Sequence, residues 1–376
     1  MKLAMSTEQV ELRDSVRRFL ADLAPLTRVR ELMAADDDST DAAVWAAAGS
    51  QLGLPGIAIP EEYGGAGFSF AEQAIILEEL GAALYTGPYL ASAVLAANAL
   101  LACSDEGAKH DLLPGIASGE TIATLAFTED DGSWEPDAIR LAAVKQGDGW
   151  VLEGHKSFVL DGSTAGLILV AGQAEGGLSL FAVDGRAAGL ARQPLAALDQ
   201  TRKLARLEFG GVSGGVSGRL IGSPGDAAAI LAKVLDVAAI ALAAEQLGGA
   251  QRVLDMAVEY AKIRHQFGRP IGSFQAIKHK CADLLLEVES LRSAVLYAAA
   301  AVAEDSPEVP VLASLVKAMA SDVYFHAAAE NIQIHGGIGF TWEHDAHLYF
   351  KRAKSSELFL GDGNYHRERL ATRIGL

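Results

Sequence analysis

Little in this chain invites a disulfide scaffold, a membrane or a nucleic acid. Only two cysteines, Cys103 and Cys281, stand in 376 residues and they form no C-x-x-C pair. That excludes a disulfide framework, points to a reducing, cytoplasmic setting and leaves both thiols as small buried hydrophobes. Basic residues are in deficit, 31 Lys and Arg against 48 Asp and Glu for a formal charge of −17. With no run of Lys and Arg to offset it, such a field repels phosphate backbones, and nucleic-acid binding is excluded. The most apolar tract, 227–250, is cut by Lys233, Asp236 and Glu245, so no membrane insertion is expected. At the start, Glu8, Glu11, Arg13 and Asp14 come before any long apolar run, so no signal peptide is expected. What is present is core material. Hydrophobic residues make up 50% of the chain and charged ones 21%, which predicts a globular protein of two or three structural units.

Residues 1–120 read as helical. Ser6-Thr7-Glu8-Gln9 is a capping box, and Leu12, Val16, Phe19, Leu20 and Leu23 follow at helical spacing. After an acidic loop at Asp36, Asp37 and Asp38, helices are predicted over 45–52, 71–84 and 90–101. Across 121–222 the texture turns to short β-type runs (TIATLAF, AIRLAAV, WVLEGHKSFVL, GLILVAG, LSLFAV, KLARLEF) separated by turns such as Gln146-Gly147-Asp148-Gly149. These predict a small antiparallel β unit. The glycine-rich stretch from Gly210 to Gly225 is read as a linker. From 223 to 376 the helical period returns. A helix is predicted over 226–264, then two long helices broken at Ser306-Pro307 and stopped at Gly336-Gly337 by a left-handed glycine cap. No G-x-G-x-x-G follows a strand, and no βα alternation appears, so a Rossmann domain is excluded.

Two separate segments carry a dinucleotide-type signal. In Tyr260-Ala-Lys-Ile-Arg264-His-Gln266-Phe267-Gly268 … Gln275 a helix ends in a basic, amide-rich turn and another helix starts at once. A guanidinium together with helix-terminal donors can hold a diphosphate. In Gln333-Ile-His-Gly336-Gly337-Ile-Gly-Phe340 glycines permit close backbone approach. Both segments, with Pro60-Glu-Glu-Tyr-Gly64-Gly65-Ala-Gly67 and Glu78-Glu79-Leu-Gly81 upstream, resemble the acyl-CoA dehydrogenase family, and the resemblance spans essentially the whole chain.

That resemblance implies an α+β fold: an N-terminal helical domain (1–120), a middle antiparallel β-barrel or sandwich (121–222) and a C-terminal four-helix bundle (223–376). It implies FAD, an acyl-CoA thioester substrate, a tetrameric assembly and electron-transfer flavoprotein as electron acceptor, in fatty-acid or sterol side-chain degradation. The family reaction removes the proton α to the thioester carbonyl with a carboxylate and passes the β-hydrogen as hydride to flavin N5. Arg264, Gln266, Phe267 and Gln275, with Gln333, Gly336 and Gly337, match positions that hold a neighbouring subunit's FAD. Phe127, Thr128, Ser133 and Phe158 match positions that receive FAD within the same chain.

The chain departs from the family pattern at the chemistry itself. Where the family carries a Tyr-Glu-Gly-Thr loop with the base, this sequence reads Phe359-Leu360-Gly361-Asp362-Gly363-Asn364-Tyr365-His366-Arg367. Anchored on Arg369-Leu370 downstream, Asp362 takes the glutamate position. Anchored on Lys351-Arg352-Ala353-Lys354 upstream, Leu360 does. Asp362 is the candidate base, and a structural carboxylate capping the loop is its alternative reading. Gly361, lacking a side chain, suggests room for a bulky acyl group. The alternative site for a base, on the helix before Tyr260, is occupied by Ala238 and Ala239, with Asp236 and Glu245 offset from it. Trp134 and the Phe158-Val159-Leu160 run alter the flavin-receiving strand, since leucine offers no hydroxyl.

Three readings follow: an active dehydrogenase using Asp362, a catalytically impaired subunit completing a paralogue's FAD site in a heterotetramer, and a cofactor-free scaffold. His344 and His347, beside Glu343, Asp345 and His335, are read as solvated residues and not as a metal site.

Overall fold

The computed structural model describes residues 5–35, 41–147, 149–210 and 215–376. The Asp36–Asp38 loop, Asp148 of the 146–149 turn and part of the glycine-rich stretch lie outside the described residues.

The first stretch is helical: α1 (Thr7–Leu23), α2 (Leu26–Ala34), α3 (Ala42–Leu52), α4 (Phe70–Ala82), a π-helical segment Leu90–Ala96 running into α5 (Ala97–Ala102), and α6 (Glu106–Ala117). The capping box at α1 forms as predicted, with Ser6 Oγ accepting from Gln9 N at 3.2 Å and Gln9 Oε1 from Ser6 N at 3.0 Å. Strands follow: β1 (Ala123–Ala126), β2 (Ala142–Gln146), β3 (Gly149–Leu160), β4 (Leu167–Ala174), β5 (Gly177–Asp184), β6 (Leu190–Leu195), β7 (Leu204–Phe209) and β8 (Val216–Ile221). The rest is α7 (Ala227–Ile263), the short strands β9 (His265–Gln266) and β10 (Arg269–Pro270), α8 (Gln275–Ala303), α9 (Val309–His335), α10 (Ala346–Leu358) and α11 (Gly363–Arg373).

The chain divides into two compact units. One joins Glu31–Ser69 to Thr86–Ala238 and contains the eight-stranded sheet, in the order β1-β4-β5-β8-β3-β7-β6 with β2 beside β3 and β4. Leu152, Ile168, Val170, Phe181, Leu207 and Val216 pack its core. Two expectations are corrected here. The sheet is not wholly antiparallel, because β1 pairs in parallel with β4, Ala123 opposite Leu167. The stretch read as a linker contains β8, which pairs with β3 and β5. Its Val-Ser-Gly-Arg-Leu-Ile alternation is short and flanked by glycines, and partners distant in sequence are what make it a strand.

The other unit takes the chain up to Arg30, Phe70–Tyr85 and Ala239–Leu376. There α4 and α7 touch backbone to backbone. A Cβ on Gly81 would stand 1.9 Å from Glu245 O, and one on Gly248 only 1.7 Å from Glu78 O, so no larger residue allows this crossing. Glu79, buried, takes Arg17 Nη2 at 2.7 Å. Glu245, also buried, takes Arg352 Nη1 at 2.8 Å. The most apolar 18-residue window of α7 is 72% buried, the behaviour of a core helix.

Candidate functional site

The two signature segments come together in one unit. α7 ends at Ile263, and β9 and β10 pair antiparallel, Gln266 opposite Arg269. Phe267 (φ 53) and Gly268 (φ 80) make the turn between them. The hairpin is tied back by Ile271 N donating to Arg264 O at 2.8 Å. Phe267 is 92% exposed at its tip, and Arg264, Gln266 and Gln275 are exposed as well. Gln266 Nε2 donates to His265 O at 2.9 Å. Gln275 opens α8, whose N-cap residue Phe274 makes no side-chain capping bond, leaving that helix end open to an acceptor from outside.

The second segment closes α9. Gly336 has φ 65 and ψ −145, so the helix is stopped by an extended conformation reserved for glycine and not by the left-handed cap expected. Gln333, Gly336 and Gly337 are exposed, and a Cβ on either glycine would meet nothing within 4 Å. His335 joins this segment to the first one. Its ring stacks on Tyr260 at 4.2 Å, above a small core of Ala257, Ala261 and Ile334 against which Cys281 packs half-buried. Cys103 is buried as expected.

His347 is buried and His344 half-buried, which corrects the expectation that both are solvated. His335 and His347 are both buried, His335 lies 4.4 Å from the His344 ring, and His347 packs edge-on against Trp342. Burial pushes all three imidazoles below their ordinary pKa. Among the described residues no cluster of His, Cys, Asp and Glu is arranged to hold a metal ion.

The β-sheet unit holds the other candidates. Phe127 and Thr128 are buried. The Thr128 hydroxyl donates to Ser157 O at 2.5 Å, and Ser133 Oγ accepts from Glu135 N at 3.2 Å. Phe158 sits where the β3–β7 register shifts, at φ 57 and 39% exposed. Trp134, the residue at variance with the family, packs against Phe127 with ring centroids 5.9 Å apart. Below them Lys156 is fully buried, held by Glu129 Oε1 at 2.9 Å and Phe127 O at 3.2 Å. Burial pushes its ammonium down to about 8.

The α10–α11 link places the candidate base at a helix start. Asp362 is the N-cap of α11, and its Oδ1 accepts from Tyr365 N at 2.8 Å. Leu360 is buried at φ 62 and Gly361 follows at φ 99. The space that glycine opens is already filled, because a Cβ there would stand 2.2 Å from Tyr365 Cδ1. The expectation of room for a bulky acyl group at Gly361 is therefore corrected. Of the other carboxylates, Asp236 is buried and Glu245 is held by Arg352, and the alternative base position carries only the buried methyls of Ala238 and Ala239.

One unit thus presents an exposed basic and amide-rich turn and an open glycine turn, a donor set of the kind that suits a dinucleotide. The chain belongs to the acyl-CoA dehydrogenase family: models of its N-terminal, middle and C-terminal domains match residues 6–120, 124–212 and 228–375. It is 37% identical over 367 residues to acyl-CoA dehydrogenase IpdE2 of Mycobacterium tuberculosis, covering 98% of this chain and 97% of that one. Among solved structures, a variant of the Tcur3481–Tcur3483 steroid ACAD superposes with a TM-score of 0.87 at 32% identity, covering 98% and 97% of the two chains. The ChsE4–ChsE5 complex of M. tuberculosis gives 0.89 at 28%, covering 100% and 99%.

The family's cofactor is FAD, and the residues present fit it unevenly. Arg264, Gln266, Gln275 and the open glycine turn form an exposed donor set that suits a diphosphate. In the β unit, the Thr128 hydroxyl proton is directed to the chain's own backbone. The Ser133 O–H and the exposed face of Phe158 remain to meet a flavin. Lys317, buried in α9, and His366 in α11 escaped the sequence reading. An isolated lysine among alanines, and a histidine beside a tyrosine, carry no periodic signal.

Proposed function

We propose that this chain takes part in FAD-dependent α,β-dehydrogenation of an acyl-CoA thioester, as one subunit of an oligomer in which its hairpin helps to hold FAD in a neighbour. The observation that carries this reading is the hairpin, whose Phe267, Arg264 and Gln266 are exposed among the described residues yet sit on a paired two-strand turn. Bound FAD supplies a two-electron acceptor, with electron-transfer flavoprotein as the onward acceptor. Arg264, Gln266, Phe267, Gln275, Gln333, Gly336 and Gly337 would hold the dinucleotide of the neighbour, and Ser133 and Phe158 would meet a flavin in this chain, with Phe127 and Thr128 buried in the same unit. Asp362 is the carboxylate assigned to take the α-proton in this reading.

A second reading is favoured by the capping bond of Asp362. A carboxylate that closes the first turn of α11 has a structural role already, which suits a subunit whose paralogue brings the base in a heterotetramer. One substitution separates the two. Asn caps a helix as well as Asp does, so Asp362→Asn keeps α11 and removes only the charge. Loss of acyl-CoA oxidation with normal flavin content assigns the base to Asp362. Unchanged oxidation in the co-expressed assembly assigns it to the partner. A purified protein that binds no FAD, alone or with a paralogous subunit, would falsify both readings and leave a scaffold.

A further inference from the structure

The four residues linking α10 to α11 are held by more than their own chain direction requires. From α9, Lys317 sends a fully buried ammonium to Gly361 O at 2.9 Å, Glu357 O at 3.1 Å and Ser321 Oγ at 2.9 Å. All three of its donors thus have named acceptors, two of them backbone carbonyls of this link and of the end of α10. From α11, buried His366 places Nε2 2.9 Å from Leu360 O. That nitrogen therefore carries the proton, and Nδ1 is enclosed with no hydrogen-bond partner among the described residues. Asp362 Oδ1 fixes the third point on Tyr365 N. Between these clamps Leu360 stays at φ 62, a left-handed conformation that is unfavourable for a non-glycine residue and persists only where its surroundings over-determine it.

Burying an ammonium and a half-satisfied imidazole is an expensive way to stop a helix. An ordinary α10–α11 corner needs neither group, since glycine and an N-cap residue suffice. The clamps do something that a plain corner does not. They set the direction of two successive peptides, and therefore where Asp362 and the amides opening α11 are presented.

We propose that Lys317 and His366 are positioning residues for the acyl-thioester site, holding the Leu360–Gly361 carbonyls so that the α10–α11 link meets the substrate in one fixed conformation. The proposal rests on the reading that this link serves the dehydrogenation. Misplacement of reacting groups on the order of 1 Å costs roughly 100-fold in rate. The expected signature is therefore a loss in kcat and not in cofactor.

The test uses the FAD-loaded protein, as homo-oligomer or co-purified with a paralogous subunit, with butyryl-CoA and octanoyl-CoA as probes. Lys317→Met and His366→Phe are expected to lower kcat by roughly 10- to 100-fold with KM changed less than about threefold and flavin stoichiometry unchanged. His366→Gln, which keeps an N–H donor, is expected to recover to within about threefold of the unmodified protein. Unchanged kcat in the Met and Phe variants overturns the proposal, as does an equal loss in the Gln and Phe variants. If Lys317→Met fails to fold, the two His366 variants decide. If the unmodified protein turns over neither probe in any assembly, the functional reading is what fails. Amide exchange at Gly361 and Asp362 then decides the clamp, faster exchange in His366→Phe sustaining it and unchanged exchange sinking it.

Discussion

Two turns of this chain share one backbone pattern and differ in everything around it. Phe267-Gly268 and Leu360-Gly361 each put a non-glycine residue at positive φ, 53 and 62, followed by a glycine at 80 and 99. At the first, Phe267 is 92% exposed and a Cβ on Gly268 would meet nothing within 4 Å. At the second, Leu360 is 4% exposed and a Cβ on Gly361 would run into the Tyr365 ring. The first turn is complete in backbone yet open in side chains, the form expected of a contact made by another molecule. The second is completed by the chain itself, through Tyr365, His366 and Lys317. The same pair of positive φ angles therefore serves an outward-facing and an inward-facing task.

Alanine at the two glycines breaks the comparison most sharply. Gly361→Ala combines left-handed strain with a clash against Tyr365 and is expected to cost about 3 kcal/mol or more. Gly268→Ala carries the strain alone, about 1 kcal/mol. Urea denaturation of the two variants checks the difference, and equal losses would show that the Tyr365 contact is easily relieved.

Acidification is the next largest effect. Burial, then the nearby Lys317 ammonium, pushes His366 down to about 4, below its unfolded value near 6.5. The unfolded chain therefore binds a proton first as pH falls, and stability contributed by the neutral imidazole is lost between about pH 6.5 and 4. The amount is roughly 3 kcal/mol. In His366→Gln the stability profile across that window should be flatter. A profile as steep as that of the unmodified protein would move the effect to His335, His344 or His347, which burial also lowers.

The outward turn gives a subtler result. Arg264→Ala should weaken FAD retention by roughly 1.5–3 kcal/mol while leaving the unfolding midpoint of the flavin-free protein unmoved, because Arg264 is exposed. Flavin absorbance after gel filtration measures the first and thermal unfolding the second. A shifted midpoint with normal retention would turn this arginine into a structural residue.

The smallest effect belongs to the cap. Asp362→Ala removes the acceptor for Tyr365 N and should cost about 1 kcal/mol, whereas Asp362→Asn should cost almost nothing. A large loss in the Asn variant would mean that the charge itself, and not the hydrogen bond, holds the start of α11.

The amino-acid sequence by itself determined the order of helices, strands and helices, the family and the two segments around Arg264 and Gly336, because periodic burial and local turn chemistry are written in consecutive residues. It located the capping box at Ser6 for the same reason. It placed His347 wrongly on the surface and passed over β8, since the burial of a side chain and the pairing of a six-residue strand are decided by packing against other parts of the chain. Only the tertiary structure decided that Gly361 is a seat for Tyr365 and not a vacancy, and that Asp362 caps a helix. The same holds for Lys317 and His366, which reach carbonyls 44 and 6 residues away. The physical reason is shared: the role of a buried polar group depends on which acceptor lies within about 3 Å, and that distance is fixed by how helices pack and not by spacing along the chain.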